Sequence, residues 1–206
     1  QTFKNFETIL VDDGSTDPES INKIADIGLE NPDVEVVHQQ NQGVAAARNN
    51  GINRARGKYI ICLDSDDILE PTYIEKSILV LETNPEISLT YTYQQMFGVL
   101  NELYKNSPYS PLHLIKDNMV ITAAAFKKEA WRKAGKYKSG IVYEDWEFWL
   151  NLAEHGFWGK LLPESLFRYR TSMQSRYVED KDLHWNNIKK IRDLHPNYRK
   201  RVKNLI

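Results

Sequence analysis

The chain has 206 residues, a formal net charge of −1, 41% hydrophobic residues and 27% charged residues. This is length for one full domain, or one with an appendage, at an ordinary globular composition. No apolar run approaches the roughly 20 residues of a membrane span, and no nucleic-acid motif, internal repeat or low-complexity segment stands out. The single cysteine, Cys62, rules out an intrachain disulfide and fits a reducing compartment.

In chain order, residues 7–11 (ETILV) read as a short apolar strand ending at Asp12, Asp13 and Gly14. Asp17 is a suitable N-cap and Pro18 a suitable first residue for a helix that stops before Asn31 and Pro32. Residues 34–37 read as a strand. Residues 43–55 read as a helix with Val44, Ala47, Gly51 and Ala55 on one small-residue face. Residues 59–63 (YIICL) have the length and flanks of a strand buried on both faces. A helix over 72–82 follows, with Ile74, Ile78 and Leu81 inward, and then a strand over 87–93. Strands and helices alternating at these lengths predict βα units and a mostly parallel sheet.

The second half is less periodic. Residues 98–111 read as a loop, 119–126 as a strand, and 127–134 as a short helix ended by Gly135. Residues 144–154 predict a helix with Phe148, Trp149 and Leu152 inward, and residues 167–169 an edge strand. Residues 180–194 are amphipathic and are interrupted by Pro196. No linker separates domains. The expected organisation is one domain with a nucleotide-binding half (1–95), an acceptor-side half (96–178) and a helical tail (179–206).

Three acidic segments carry chemistry. In YIICLDSDDILEP, an apolar run ends in Asp64, Asp66 and Asp67. Crowded carboxylates repel, so folding alone does not favour them, and the carboxyl edge of an open α/β sheet is where ligands bind. Asp-x-Asp there suits a hard divalent cation carrying a phosphate; a solvated acidic turn is the plainer reading. The pair Asp12 and Asp13 also follows a strand, so parallel strands put both clusters on one edge, where a carboxylate accepts from a ribose hydroxyl or a base N–H. Turn chemistry explains DDGSTD equally. In VYEDWEFWL, Glu144 and Asp145 open a helix, where the macrodipole favours negative charge. The functional alternative makes Asp145 a general base walled by Trp146. Gly43 precedes a helix whose N–H groups suit a phosphate, with Arg48 one turn in, although close packing through residues 45–47 with Arg48 on the surface serves as well. The histidines show no zinc spacing, and no Walker or dinucleotide glycine loop is present. An EF-hand fails because Ile68 and Leu69 stand where an oxygen ligand and a glycine are needed.

Taken in order, FETILVDDGSTD, HQQNQGVAAARNNGI, GKYIICLDSDD and YEDWEFWLNLAEHG closely resemble the family 2 glycosyltransferases of GT-A fold. The resemblance runs from about residue 3 to 176, and FRYR…SMQSR (167–176) looks like a late loop of such enzymes. It implies an α/β, Rossmann-like sheet flanked by helices with a smaller acceptor-side region. It also implies inverting transfer of a sugar from a nucleoside-diphosphate donor, UDP by default, to a glycan or glycolipid acceptor in polysaccharide or glycoconjugate synthesis. On this resemblance Asp13 contacts the donor nucleoside, Asp64 and Asp66 hold Mn2+ or Mg2+, and Asp64 and Arg48 belong to the nucleotide-sugar site. Asp145 is the catalytic base, with Glu144 and Trp146 on the acceptor side.

Members of this family normally begin with a further strand and helix, that strand lying inside the sheet. A chain starting at Gln1 is therefore expected to leave two strand edges unpaired, as a fragment of a longer protein does. Residues 181–206 carry eight Lys or Arg against two Asp. This basic tail is either a solvated helix face or a peripheral contact with anionic lipid; the expected location is cytoplasmic, at the inner face of the membrane. Rival readings are a non-catalytic nucleotide-sugar-binding module, a receiver-type signalling domain and a nucleotidyltransferase. The receiver lacks a lysine ending the strand over 87–93 and leaves VYEDWEFWL without a role. The nucleotidyltransferase lacks its Gly-rich, Arg/Lys-bearing loop.

Overall fold

The structure is a computed structural model that describes residues 1–172 and 181–203. Its first unit is β1 (Thr8–Asp12), α1 (Pro18–Glu30), β2 (Val34–His38) and α2 (Val44–Arg54). β1 and β2 pair in parallel, Thr8 opposite Val34 through Asp12 opposite His38. Both helices approach these strands at glycine: a Cβ on Gly28 would lie 3.1 Å from Val36, and one on Gly51 3.2 Å from Val11. Asp17 caps α1 as expected, accepting from the Ser20 N–H at 2.8 Å.

The second unit is a six-stranded sheet in the order β3 (Tyr59–Ile61), β7 (Ala125–Lys127), β5 (Ile87–Gly98), β8 (Trp158–Thr171), β4 (Ile68–Leu69), with β6 (Leu103–Tyr104) on β5. The expected α/β class holds, but the sheet is mixed rather than mostly parallel. β5 and β8 run parallel, whereas β3 with β7, β5 with β7, β5 with β6 and β4 with β8 are antiparallel. β1 and β3 each end a separate sheet. Glu7 stitches across that break, its carboxylate accepting from the Arg56 and Gly57 N–H groups at 2.6 and 2.8 Å.

Three strand expectations are corrected. Residues 59–63 are not buried on both faces: the strand ends at Ile61, it is half-buried, and Leu63 is exposed. Among the described residues only β7 pairs with it. The apolar run 119–126 is a buried turn reaching strand geometry only at Ala125, with the Ala124 N–H donating to the Ile121 carbonyl. The supposed edge strand over 167–169 is the end of the 14-residue β8, interior to the sheet. Pro163 hides this in the sequence; it cannot donate, and the β5–β8 register shifts where it falls.

Helices α3 (Tyr73–Thr83), α4 (Pro111–Leu114), α5 (Lys128–Ala134) and α6 (Glu144–Glu154) pack around the larger sheet. The core runs through Phe126, Trp131, Phe148, Trp149 and Leu152, all fully buried. Phe126 meets Phe148 and Trp149 edge-on at 5.3 and 5.9 Å. Gly135, at φ 95°, ends α5 in the left-handed region. α7 (Lys181–Leu194) and α8 (Pro196–Lys203) follow. Among the described residues no helix is long and apolar enough to cross a membrane. Of the segment 167–176, residues 173–176 lie outside the described residues.

Candidate active site

The candidate site forms where the first unit meets the second, and α2 makes the join. Asn49 accepts at Oδ1 from the Trp131 indole and the Tyr137 N–H, both at 3.1 Å, and returns Nδ2 to the Tyr137 carbonyl at 2.8 Å. One residue earlier, the Arg48 side chain is buried. Its NH1 donates to Glu144 Oε1 at 2.7 Å and its NH2 to Asp64 Oδ1 at 2.8 Å. A planar guanidinium is suited to this fork, which a lysine point charge cannot reproduce. Nearby carboxylates raise the Arg48 pKa still further despite burial, which acts against the charge. Arg48 therefore faces two carboxylates, one of them Asp64 of the Asp-x-Asp turn.

Asp13 lies at the start of α2. Its Oδ1 accepts from Gln39 Nε2 at 2.7 Å and the Gln42 N–H at 2.9 Å, and its Oδ2 from the Gly43 N–H at 2.8 Å. The carboxylate thus shapes the loop ahead of Gly43, whose φ of 86° suits glycine. Its neighbour Asp12 accepts from the Ser15 N–H and faces His38; hydrogen bonds from Ser15 and His38 hold its pKa down at about 2.

After β3 the chain turns tightly, the Asp67 N–H donating to the Asp64 carbonyl at 3.1 Å. Asp64 keeps Oδ2 beyond its bond to Arg48, and Asp66 is exposed, its carboxylate making no hydrogen bond among the described residues. Asp67 turns inward and accepts the Arg170 N–H at 2.9 Å. Burial pushes its pKa up to about 7, with Asp64 and Asp66 adding to the rise against that hydrogen bond. No group of three or more His, Cys, Asp or Glu suited to a metal occurs among the described residues. Two hard carboxylate oxygens still fit Mn2+ or Mg2+, because such ions commonly take one or two carboxylates and complete their shell with phosphate and water.

Asp145 is half-buried at the start of α6, and its Oδ2 accepts from Thr122 Oγ1 at 3.2 Å and Asn118 Nδ2 at 3.4 Å. Thr122 belongs to the buried turn and Asn118 directly precedes it, and neither carries a signal in the sequence. Tyr169 on β8 joins the groups: burial raises its phenol pKa first, and then the nearby charges of Asp67, Asp66, Asp64 and Asp145. The charges of the Asp-x-Asp turn and of Asp145 therefore both reach the Tyr169 phenol. Glu144 is buried, with its Oε1 against the Arg48 guanidinium. Trp146 is corrected: it is buried, and its indole N–H donates to the Leu114 carbonyl at 2.7 Å, so it forms core and not a cleft wall.

The sequence matches the family model described as "Glycosyl transferase family 2" over residues 1–143. It is 26% identical over 187 residues to an uncharacterized glycosyltransferase of Methanocaldococcus jannaschii, covering 86% of this chain and 64% of the relative. In three dimensions it is similar to S. aureus TarS 1–349 in complex with UDP-GlcNAc, with a TM-score of 0.73 and 16% identity over 93% of this chain and 58% of that one. It is also similar to the mannosyltransferase PcManGT from Pyrobaculum calidifontis in complex with GDP-Man and Mn2+, with a TM-score of 0.61 and 18% identity over 84% of this chain and 50% of that one. The chain spans less than two thirds of the length of each of these relatives. The likeness establishes the fold, which is that of the GT-A glycosyltransferases.

Proposed function

This chain belongs to glycosyl transferase family 2, and from that premise we propose that it moves a sugar from a nucleoside-diphosphate donor to an acceptor hydroxyl by one inverting displacement. The observation that carries this reading is the Arg48 fork, which ties Asp64 of the Asp-x-Asp turn to Glu144, the residue beside Asp145. Asp13 and the loop it shapes ahead of α2 flank the nucleoside. Asp64 and Asp66 would hold Mn2+ or Mg2+, whose charge, when bound, offsets that on a departing diphosphate.

Asp145 is the general base. Thr122 and Asn118 hold its Oδ2, leaving Oδ1 to accept the proton from the acceptor hydroxyl. That oxygen then bonds to the anomeric carbon as the bond to diphosphate breaks on the opposite face, so configuration inverts and no sugar–enzyme bond forms. A base placed this way adds about 10²- to 10⁴-fold. Arg48 positions both halves and touches neither reactant. UDP, and a polysaccharide or glycolipid acceptor at the cytoplasmic face of a membrane, complete the reading. The exposed Lys189, Lys190 and Lys200 give contact with anionic lipid its physical basis.

Asp145→Asn tests it. Turnover of the donor sugar with an acceptor glycan should fall by at least about 10²-fold while nucleotide affinity is retained. Wild-type turnover in the variant removes Asp145 from the mechanism. Donor binding without any transfer by the unaltered protein returns the chain to a non-catalytic binding module.

A further inference from the structure

We propose that Arg168 and Arg170 on β8, stacked together on Phe97, form a site for a phosphate group beside the Asp-x-Asp turn. Residues two apart on a strand share a face. Both guanidinium groups lie over one ring, Arg168 Cζ 5.1 Å and Arg170 Cζ 5.3 Å from the Phe97 centroid. The register explains the meeting, because β5 runs parallel to β8 with Phe97 opposite Arg170 and Gln95 opposite Arg168. Phe167 and Tyr169 take the other face, Phe167 into the core. The pair therefore lies across the sheet from the Tyr169 phenol and outside the groups described above.

Packing alone does not favour two like charges on one face of a sheet, because they repel. Among the described residues neither guanidinium has a carboxylate at ion-pair distance. The acidic turn beside them offers a backbone oxygen instead: Arg170 Nε donates to the Asp66 carbonyl at 3.3 Å. Asp67 is taken by the Arg170 backbone N–H. Both heads can be reached from solvent, Arg168 being half-buried and Arg170 exposed. They are also held in place. The negative face of an aromatic ring attracts each cation, and Thr171 fixes the strand that carries the ring. Its Oγ1 donates to the Phe97 carbonyl at 3.0 Å and accepts from the Leu100 N–H at 2.8 Å. Donors positioned before a ligand arrives lose little freedom when it binds.

Strand geometry separates the two side-chain stems by roughly 7 Å, which leaves room for one compact anion between the heads. Phosphate presents several oxygens in a tetrahedron and accepts charge-assisted bonds from two guanidinium forks at once. A carboxylate, with two oxygens in one plane, matches a single fork. The phosphate has two sources: the diphosphate of the donor, or a phosphate carried by the acceptor. Naming these sources rests on the transferase reading; the phosphate chemistry of the pair does not.

The test uses the 206-residue chain labelled with ¹⁵N, at constant ionic strength, with glycerol 3-phosphate and with UDP plus Mg2+ as probes. The two arginine Nε–H signals are assigned by their loss in Arg168→Gln and Arg170→Gln. Neither head is in the core, and the Arg170 bond to Asp67 is made by the backbone, so both variants should fold. At least one probe should shift both signals saturably, and each variant should weaken that probe about tenfold. Competition between glycerol 3-phosphate and UDP at these signals assigns the phosphate to the donor. A shift by glycerol 3-phosphate that persists at saturating UDP assigns it to the acceptor. No saturable shift with either probe, an equal shift from acetate, or full affinity in both variants overturns the site. If UDP binds and neither probe moves the signals, only this site falls. If glycerol 3-phosphate moves them and UDP does not bind, the transferase reading falls and the phosphate site stands.

Discussion

Helices α1 and α6 have similar lengths and both show apolar residues at helical spacing, yet their surroundings are opposite. α1 buries none of its residues, and Leu29 is 82% exposed. In α6 every residue except Asp145 and Glu154 is buried. Periodicity in a sequence therefore reports which face a helix prefers to cover, not how much covers it. The two units of the molecule follow the same division, and the candidate site lies where the lightly packed one meets the dense one.

The largest effect should come from the dense side. Trp149→Ala removes a fully buried indole from α6 and should cost about 3–5 kcal/mol in urea unfolding. The same truncation on the open side, Ile24→Ala in α1, should cost less than about 1 kcal/mol. Equal costs would erase the distinction between the units.

The seam itself comes next. Arg48→Met leaves Glu144 buried without its cation and should cost about 3 kcal/mol, the lower end for a broken buried pair because Asp64 is partly open to water. Pairing it with Glu144→Gln should recover much of that loss. A double variant no better than the single one would show that the fork is not the seam's main tie.

The smallest effect concerns how the helical tail sits on α6. His195 is buried, with Nδ1 2.7 Å from Glu154 Oε2 and Nε2 3.2 Å from Glu147 Oε1. Lys138 shares that Glu147 oxygen, and Tyr198 on α8 lies near Glu154. Only an imidazolium donates from both nitrogens. The two carboxylates raise its pKa above the ordinary 6.5, outweighing burial, which acts the other way. Because the folded value lies above the unfolded one, this contribution is full below 6.5 and is lost as pH rises through the folded pKa. The melting temperature should therefore fall across that window in the native chain and show a flatter profile in His195→Gln. Parallel pH profiles for the two proteins would contradict the imidazolium.

Much of this was legible in the residues. Asp17-Pro18 fixed the start of α1, Gly135 the end of α5, and the run from Glu144 the whole of α6, because caps and periodicity are local. The expectation that both acidic clusters share one sheet edge fails, because β1 and β3 lie in separate sheets. What stayed hidden depends on contacts distant in sequence. Thr122 reads as part of a strand and Asn118 falls just before it, until the folded chain brings both to Asp145. The Arg48 fork is hidden because its two carboxylates, 16 and 96 residues later, are invisible to local reasoning. Trp146 was misplaced because α6 is covered on nearly every side, which a one-faced helix pattern does not anticipate.

On the proposed reading, Asp64 and Asp66 present a cation to a nucleoside diphosphate beside Asp145. Isothermal titration of UDP and GDP with and without Mn2+, on the native chain and Asp66→Ala, tests it most directly. One nucleotide should bind at least about tenfold more tightly with Mn2+, and that gain should vanish in the variant. Equal affinity with and without Mn2+ for both nucleotides on the native chain would contradict it.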